Sequence, residues 1–364
     1  MTRRSVWITL ILALLVLAAC GGSSGGTVSG AATPSGAAGA PTAVVPVANG
    51  GPNTIVLGAY STPREAYGKL IPIFKDEWKK QTGQDITFQE SYQGSGAQAR
   101  AIAQGFEADI AALSLEADIN QIIKAGLITH DWKTGPYKGV VSDSIVAFAV
   151  RKGNPKGIKD WADLAKPGVQ VLTPNPKTSG GAQWNILALY GAAKRGFVQG
   201  VPKDDDAAAT EFLKSVLKNV VVLDKDARGS ITNFEKGVGD VAITYENEVL
   251  VGQQSGKDYE LVIPHSTILI ENPVALIDTS VDKHGNRKAV EAFLNFLLSK
   301  EAQNVFAQYG LRSVDPEVAK ATAAQYPAVA DLFQIDYFGG WKDATPKYFG
   351  DDGIFTKSIA EVQQ

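Results

Sequence analysis

The sequence predicts an α/β protein with two lobes. Short runs rich in β-branched and apolar residues, such as 54–57 and 85–88, alternate with helical stretches such as 64–82, and this alternation is typical of α/β folds. The chain has 364 residues, which exceeds the roughly 250–300 residues at which one hydrophobic core stops growing. We therefore expect two cores, each built from strands and helices.

The first twenty residues predict an export signal. Two arginines precede an apolar run over residues 6–17, and two alanines stand directly before Cys20. This order is typical of a signal peptide, here over 1–19, because the run is shorter than the roughly 20 residues that span a bilayer. The only cysteine, Cys20, stands where the bacterial lipobox has its lipidated cysteine, so we predict lipidation there. An ordinary secretory signal cut at another bond is the alternative.

Charge and cysteine content exclude several classes of protein. Loss of Arg3 and Arg4 with the signal reduces 35 basic residues to 33 against 38 acidic ones, a net formal charge of −5. Such a surface does not favour nucleic acid as a partner. A lipidated Cys20 leaves no thiol for a disulfide or a nucleophile. The three histidines lack a metal-ligand spacing, so we predict neither a metal nor a cofactor.

Residues 20–51 predict a lipidated cysteine followed by a disordered tether. Gly, Ser, Ala, Thr, Pro and Val dominate the segment, and it carries no charge and no sustained periodicity. A flexible chain of about thirty residues separates its ends by roughly 30 Å. The folded part would therefore lie a modest distance from a membrane.

The remaining elements follow in order along the chain. Strands are predicted over 145–150, 169–172, 220–223, 241–243, 261–263 and 274–277, with helices between most of them. A late helix is indicated by Ala289, Val290, Phe293, Leu294 and Leu297, which fall on one stripe. A second, short helix is predicted after Ser299.

Three turns share one design, in which small residues carry a hydroxyl or a glycine directly before a predicted helix. They span 93–96, 174–181 and 226–230. A helix start has unpaired N–H groups and a partial positive charge, and it therefore attracts anions. Taken alone, Ser95 and Ser179 are explained as N-caps. Three such starts facing one point would neutralise a dianion.

Seven short motifs stand in a fixed order along the chain. They are YSTPRE (60–65), GSGAQA (94–99), RKGNPK (151–156), TPNPKTSGG (173–181), ARGS (227–230), YENE (245–248) and FGGW (338–341). In this order and at this spacing they resemble the sulfate- and thiosulfate-binding proteins of ABC importers. The resemblance extends from about Val56 to the C-terminus.

The resemblance implies the type II fold of periplasmic binding proteins. Each of its two lobes is a mixed sheet flanked by helices, and the ligand lies in the cleft, held by hydrogen bonds without a countercharge. We place the first lobe at 52–141 plus 268–364 and the second at 142–267. The chain would cross between them near Ser144 and near Pro264.

The resemblance also implies a function. The protein would bind sulfate, with thiosulfate as a second ligand, and deliver it to the permease subunits of an ABC transporter. It would act as a monomer without enzymatic activity, in the periplasm or outside the cell, and would touch the membrane only through its lipid anchor.

The resemblance assigns specific ligand contacts. They are the hydroxyls of Ser95 and Ser179, the backbone N–H groups of Gly180, Gly181 and Ala227, the backbone at Ser61 and the side chain of Tyr245. The chain departs from the family at two of these positions, because Ser61 replaces a usual Asp and Tyr245 a usual Trp. An indole only donates a hydrogen bond, whereas a tyrosine hydroxyl donates and accepts, so the preference between sulfate and thiosulfate stays open.

Two other functions remain as alternatives. A secreted hydrolase of sulfate or phosphate esters would use Ser95 or Ser179 as its nucleophile, but it needs a base, and no histidine is near either serine in sequence. A receptor of the same fold for another tetrahedral oxyanion, such as molybdate, tungstate or phosphate, is the second alternative.

Three charged residues near the proposed contacts are given other roles. Glu246 and Glu248 are predicted to lie on the solvated edge of a strand rather than to form a catalytic pair. Arg228 is predicted to pair with its neighbours Asp224 and Asp226 rather than with the anion.

Overall fold

The computed structural model describes residues 50–363. The predicted signal peptide, Cys20 and nearly all of the predicted tether lie outside these residues. The last two residues of that segment pack on the folded part. Gly51 forms a bridge with Thr54, and Gly50 lies so close to His284 that an added Cβ would approach its ring to 2.1 Å.

The strands and helices of the described residues follow in chain order. The strands are β1 (Thr54–Tyr60), β2 (Thr87–Gln93), β3 (Ile110–Ala112), β4 (Val140–Arg151), β5 (Val171–Pro174), β6 (Val220–Asp224), β7 (Val241–Tyr245), β8 (Tyr259–Val262), β9 (Ser266–Leu276) and β10 (Asp331–Phe333). The α-helices are α1 (Arg64–Thr82), α2 (Ser95–Ala103), α3 (Glu116–Lys124), α4 (Gly180–Lys194), α5 (Asp206–Leu217), α6 (Ala227–Glu235), α7 (Glu246–Gln254), α8 (Asp278–His284), α9 (Arg287–Leu297), α10 (Lys300–Gln308), α11 (Pro316–Thr322), α12 (Gly340–Ala344) and α13 (Ile354–Val362).

The strands predicted from sequence all overlap observed strands, but two short strands were not predicted. β3 has only three residues, and two of them are alanines, which have low strand propensity. β10 is also only three residues long. Both depend on pairing with β9, which is a tertiary interaction and leaves no local signal.

One strand order connects the sheet, β2-β1-β3-β9-β4-β7-β5-β6, with β10 on β9 and β8 on β4. β1 pairs in parallel with β2 and β3, and β5 pairs in parallel with β6 and β7. Between these two parallel groups, β9 runs antiparallel to β3 and β4, and β4 runs antiparallel to β7. The sheet therefore has two mixed halves.

The two long strands connect these halves. The first part of β4 pairs with β9, and its second part, from Val146, pairs with β7. β9 begins on β10, continues on β4 and ends on β3. This pairing supports a first crossing of the chain between the proposed lobes near Ser144. It favours a second crossing within β9, a few residues after Pro264. Both lobe boundaries stay a proposal.

The C-terminal segment packs on the second half of the sheet. Phe333, Trp341 and Tyr348 belong to the same buried cluster as Trp184 and the apolar face of α5. Trp341 meets Trp184 edge to face, with ring centroids 4.6 Å apart. The sequence assigns this segment to the first lobe, and we propose to move the residues from β10 onward to the second. The FGGW motif therefore has a packing role, and its two glycines adopt positive φ angles.

Among residues 50–363, no helix combines the length and the apolar character needed to cross a membrane.

Candidate functional site

The residues singled out in the sequence follow the carboxyl ends of strands. Ser61 comes directly after β1, Tyr245 ends β7, and the segment 175–179 follows β5. In open α/β sheets ligands bind at this edge, because the turns between strands and helices gather there. Because three antiparallel pairings separate β1 from β7 and β5, the carboxyl end of β1 points in the opposite direction to those of β7 and β5, and the two sets of turns face each other near the middle of the sheet.

The three small-residue turns meet at Thr178. The carbonyl oxygen of Thr178 accepts a hydrogen bond of 3.1 Å from the N–H of Ala97, at the start of α2. Its hydroxyl donates to the carbonyl of Lys225, ahead of α6, at 2.8 Å. An added Cβ at Gly94 would lie 2.5 Å from the Thr178 oxygen, so this approach requires glycine. The three turns singled out in the sequence therefore lie next to one another.

These helix starts contain buried N–H groups without partners. Within the described residues, the N–H groups of Ser95, Gly96, Gly180, Gly181 and Ala227 make no hydrogen bond. All five residues are buried. An unpaired buried N–H group costs about 1–3 kcal/mol, so their clustering at one place indicates a site for an acceptor-rich ligand.

The two serines differ in what their hydroxyls can offer. Ser179 caps α4, where its oxygen accepts the N–H of Ala182 at 3.3 Å, and its own proton stays available to a ligand. Ser95 is the first residue of α2, behind Gly94 in the cap position, so its predicted role as an N-cap is wrong. Its hydroxyl donates to Asp118 at 2.5 Å and accepts the Ser114 N–H at 2.9 Å. The free donor at Ser95 is thus its backbone N–H.

Asp118 places a carboxyl group beside the start of α2. Its side chain is 5% exposed. Burial raises its pKa to about 6, although the hydrogen bond from Ser95 and the charge of Arg100 act in the opposite direction. Asp118 leaves no signal in the sequence, because its contact with the site depends on the packing of α3 against α2.

Tyr245 and Ser114 lie against the first turn of α4. Their hydroxyl oxygens are 2.5 Å apart, and both residues are fully buried. A Cβ added to Gly181 would lie 2.6 Å from the Tyr245 ring, and a Cβ added to Gly180 would lie 2.8 Å from the Ser114 side-chain oxygen. The two glycines therefore allow the hydroxyls to approach the helix start. Burial raises the pKa of Tyr245 above its ordinary value, so its hydroxyl stays protonated.

Arg228 has other partners than those predicted. It binds Glu65 through two hydrogen bonds of 2.7 and 2.8 Å and lies 3.0 Å from Glu248. Asp226 instead caps α6, and Asp224 accepts hydrogen bonds from Ser230 and Asn233. The start of α6 directs the arginine away from these aspartates. Because two carboxylates compensate its charge, Arg228 is no free countercharge for an anion.

Glu246 and Glu248 do not lie on a solvated strand edge. β7 ends at Tyr245, and both glutamates lie in the first turn of α7, 0% and 2% exposed. Acidic side chains suit a helix N-terminus because of its partial positive charge. Glu246 binds Arg312 at 2.7 and 2.9 Å, and burial raises the pKa of Glu248 to about 7, opposed by Arg228. Both serve buried ion pairs.

Ser61 lies at the edge of the site. It is 7% exposed and lines an open cavity of about 550 Å³ together with Arg64, Tyr92 and Lys225. This cavity also reaches the start of α6. Ser61 therefore stands between the buried helix starts and solvent.

The RKGNPK motif has a structural role outside the site. The guanidinium group of Arg151 donates to the carbonyls of Phe234, Val238 and Gly239 and lies over the Phe234 ring at 3.7 Å. It holds the end of α6 against β4.

Residues 50–363 contain no cluster of His, Cys, Asp and Glu suited to a metal ion.

Comparison with known proteins identifies the class. Residues 55–312 match the sequence model of the family described as bacterial extracellular solute-binding protein, and the chain belongs to this family. A solved structure of the sulfate-binding protein SubI from Mycobacterium tuberculosis has a TM-score of 0.75 and 38% identity, covering 82% of this chain and 99% of that one. The predicted periplasmic-binding-protein fold is confirmed.

Curated relatives define the branch of the family. The sulfate-binding protein of Synechococcus elongatus is 43% identical over 361 residues, which are 98% of this chain and 96% of that protein. The thiosulfate-binding protein of Escherichia coli is 38% identical over a stretch that covers 83% of this chain and 90% of that protein. The resemblance to sulfate- and thiosulfate-binding proteins is confirmed.

The raised pKa of Asp118 predicts a pH dependence of stability. The folded state binds the proton more tightly than an unfolded chain with a pKa of 3.8, so this carboxyl lowers the free energy of unfolding as pH rises from about 4 to about 6. The full effect is about 3 kcal/mol at most. As pH rises over this range, the free energy of unfolding of Asp118→Asn should therefore increase relative to that of wild type. Urea unfolding at each pH measures this difference.

Asp351→Asn is the matched control, because Asp351 is exposed. It should follow the wild-type pH profile. An Asp118→Asn variant that also follows this profile would show that the carboxyl is not perturbed.

Proposed function

We propose that this protein is an extracytoplasmic receptor that binds sulfate and delivers it to an ABC transporter. One observation carries the proposal: at the adjacent starts of α2, α4 and α6 lie buried residues whose N–H groups have no partner among residues 50–363. The names of the curated relatives support sulfate as the ligand and thiosulfate as a second one.

Backbone groups would bind the anion in place of a countercharge. The N–H groups of Ser95, Gly180, Gly181 and Ala227 donate, and the hydroxyl of Ser179 adds a further donor. Each helix start contributes a partial positive charge. Sulfate is fully ionised at neutral pH and only accepts hydrogen bonds, so it matches a site made of donors.

Closure of the two lobes would complete the site. The indole N–H of Trp184, on the second lobe, donates to the Ser114 carbonyl of the first at 2.9 Å. The ion pair of Arg228 with Glu65 likewise joins α6 to α1. Since donors come from both lobes, the anion favours the closed form. We propose that the permease subunits recognise this form of a monomeric receptor.

We propose binding without turnover. The relatives named above are binding proteins, and neither serine has a histidine partner among the described residues. Among the described residues, the Ser95 hydroxyl contacts Asp118 and the Ser114 N–H, and the Ser179 hydroxyl contacts the Ala182 N–H. Neither hydroxyl contacts a histidine that would act as its base.

Calorimetric titration tests the ligand. Protein lacking residues 1–49, stripped of anion by partial unfolding and refolding, is titrated with sulfate, thiosulfate, phosphate and molybdate. We expect sulfate to bind most tightly or to share the site with thiosulfate. A folded protein that binds none of the four anions would contradict the proposal, and tightest binding of molybdate or phosphate would favour the alternative receptor.

The start of α4 can be tested with a matched pair of variants. Gly181→Pro removes one N–H group, whereas Gly181→Ala adds a similar Cβ beside Tyr245 but keeps that N–H. We expect the proline variant to bind sulfate at least about tenfold more weakly than the alanine variant, the value of one hydrogen bond to a charged group. Lys177→Ala, at an exposed position, should leave binding unchanged. Equal affinities of the Gly181 pair would place the anion elsewhere.

We further propose that Cys20 carries the lipid anchor, on the basis of the signal-like sequence before it. Cys20→Ser in the full-length protein should abolish incorporation of labelled fatty acid and release the protein from the membrane fraction. A Cys20→Ser protein that remains membrane-bound would contradict this anchor. Gly22→Ser, two residues further on, is the control that keeps the cysteine.

A further inference from the structure

Ser114 connects three parts of the site, although the sequence gives it no motif. Its N–H donates to Ser95 at 2.9 Å, its carbonyl accepts the indole N–H of Trp184 at 2.9 Å, and its hydroxyl lies 2.5 Å from that of Tyr245. It is fully buried. Its position is therefore fixed from three sides.

The hydroxyls of Ser114 and Tyr245 can be counted as one unit. Together they have two protons, and their mutual hydrogen bond uses one of them and one lone pair. One proton and several lone pairs remain. Both oxygens lie against Gly180 and Gly181, whose N–H groups are the proposed anion contacts, so the remaining proton and lone pairs lie next to the proposed site.

We infer that Ser114 is a further specificity-determining residue, which with Tyr245 lets the site accept an anion that still carries one proton. The inference rests on the proposed function of this site. A bare dianion receives the remaining hydroxyl proton of the pair. A protonated anion, such as hydrogen phosphate, donates a hydrogen bond to the Tyr245 oxygen, the Tyr245 hydroxyl donates to the Ser114 oxygen, and the Ser114 proton is the one left to donate to the anion.

This second arrangement requires the Ser114 oxygen. Without it, a Tyr245 hydroxyl that accepts from the anion has a buried proton with no acceptor, which costs affinity. A side chain at position 245 that can only donate also weakens binding of a protonated anion, because it cannot accept the hydrogen bond that the anion donates. Sulfate is unaffected in both cases, since it needs only a donor.

Asp118 and Glu248 are carboxyl groups near Tyr245; Glu248 is paired with Arg228, and the contacts of Asp118 give it a different role. Its carboxyl group receives the Ser95 hydroxyl at 2.5 Å, and among the described residues no hydrogen bond joins it to Ser114 or Tyr245. The relay to a protonated anion therefore runs through the two hydroxyls.

The test compares the affinities for hydrogen phosphate and sulfate in wild type, in Ser114→Ala and in the double variant Ser114→Ala with Tyr245→Trp. Calorimetry gives the sulfate affinity, and competition against sulfate gives the phosphate affinity up to about 10 mM. We expect sulfate affinity to change less than about threefold, and phosphate affinity to fall about tenfold or more in both variants. The small Ser114→Ala change keeps the test valid if the double variant does not fold.

The following results would overturn the inference. Wild type without detectable phosphate binding would show that the hydroxyl pair does not accept a proton. An equal loss for both anions would make Ser114 a packing residue only. Wild type that binds phosphate but not sulfate, or neither anion, would overturn the proposed function itself. Sulfate binding with an unchanged ratio in the variants would overturn this inference alone.

Discussion

The structure depends on one constraint, which is that buried N–H groups need acceptors. Three helix starts bring such groups together around Thr178, and nothing else in the described part of the chain satisfies them. Glycines at 94, 180 and 181 allow the close approach. The fold therefore maintains a cluster of donors at an energetic cost that a bound anion would remove.

The surrounding charges are arranged so that they do not replace these donors. Arg228 is compensated by Glu65 and Glu248, and Arg312 is paired with Glu246. A free arginine would attract many anions, whereas a set of fixed donors selects by the proton content and shape of the ligand. The ion pair of Arg228 with Glu65 also joins α6 to α1.

Much of the fold and part of the site could be predicted from the sequence. The turns before α2, α4 and α6 were visible because glycine, serine and helix starts leave local signals. Ser114 and Asp118 were not visible, because they reach the site only through β3 and α3, and β3 is defined by pairing rather than by propensity. The partners of Arg228 were mispredicted because sequence proximity favoured Asp224 and Asp226, whereas its side chain crosses to α1. The glutamates of the YENE motif were misplaced because a strand was continued past Tyr245.

A crystal structure of the protein with bound sulfate tests the central claim most directly. We expect sulfate oxygens within about 3 Å of the backbone nitrogens of Gly181 and Ala227, with no lysine or arginine nitrogen in contact with the anion. Sulfate bound instead in the open cavity, against Arg64 or Lys225, would contradict the account and would make the binding electrostatic.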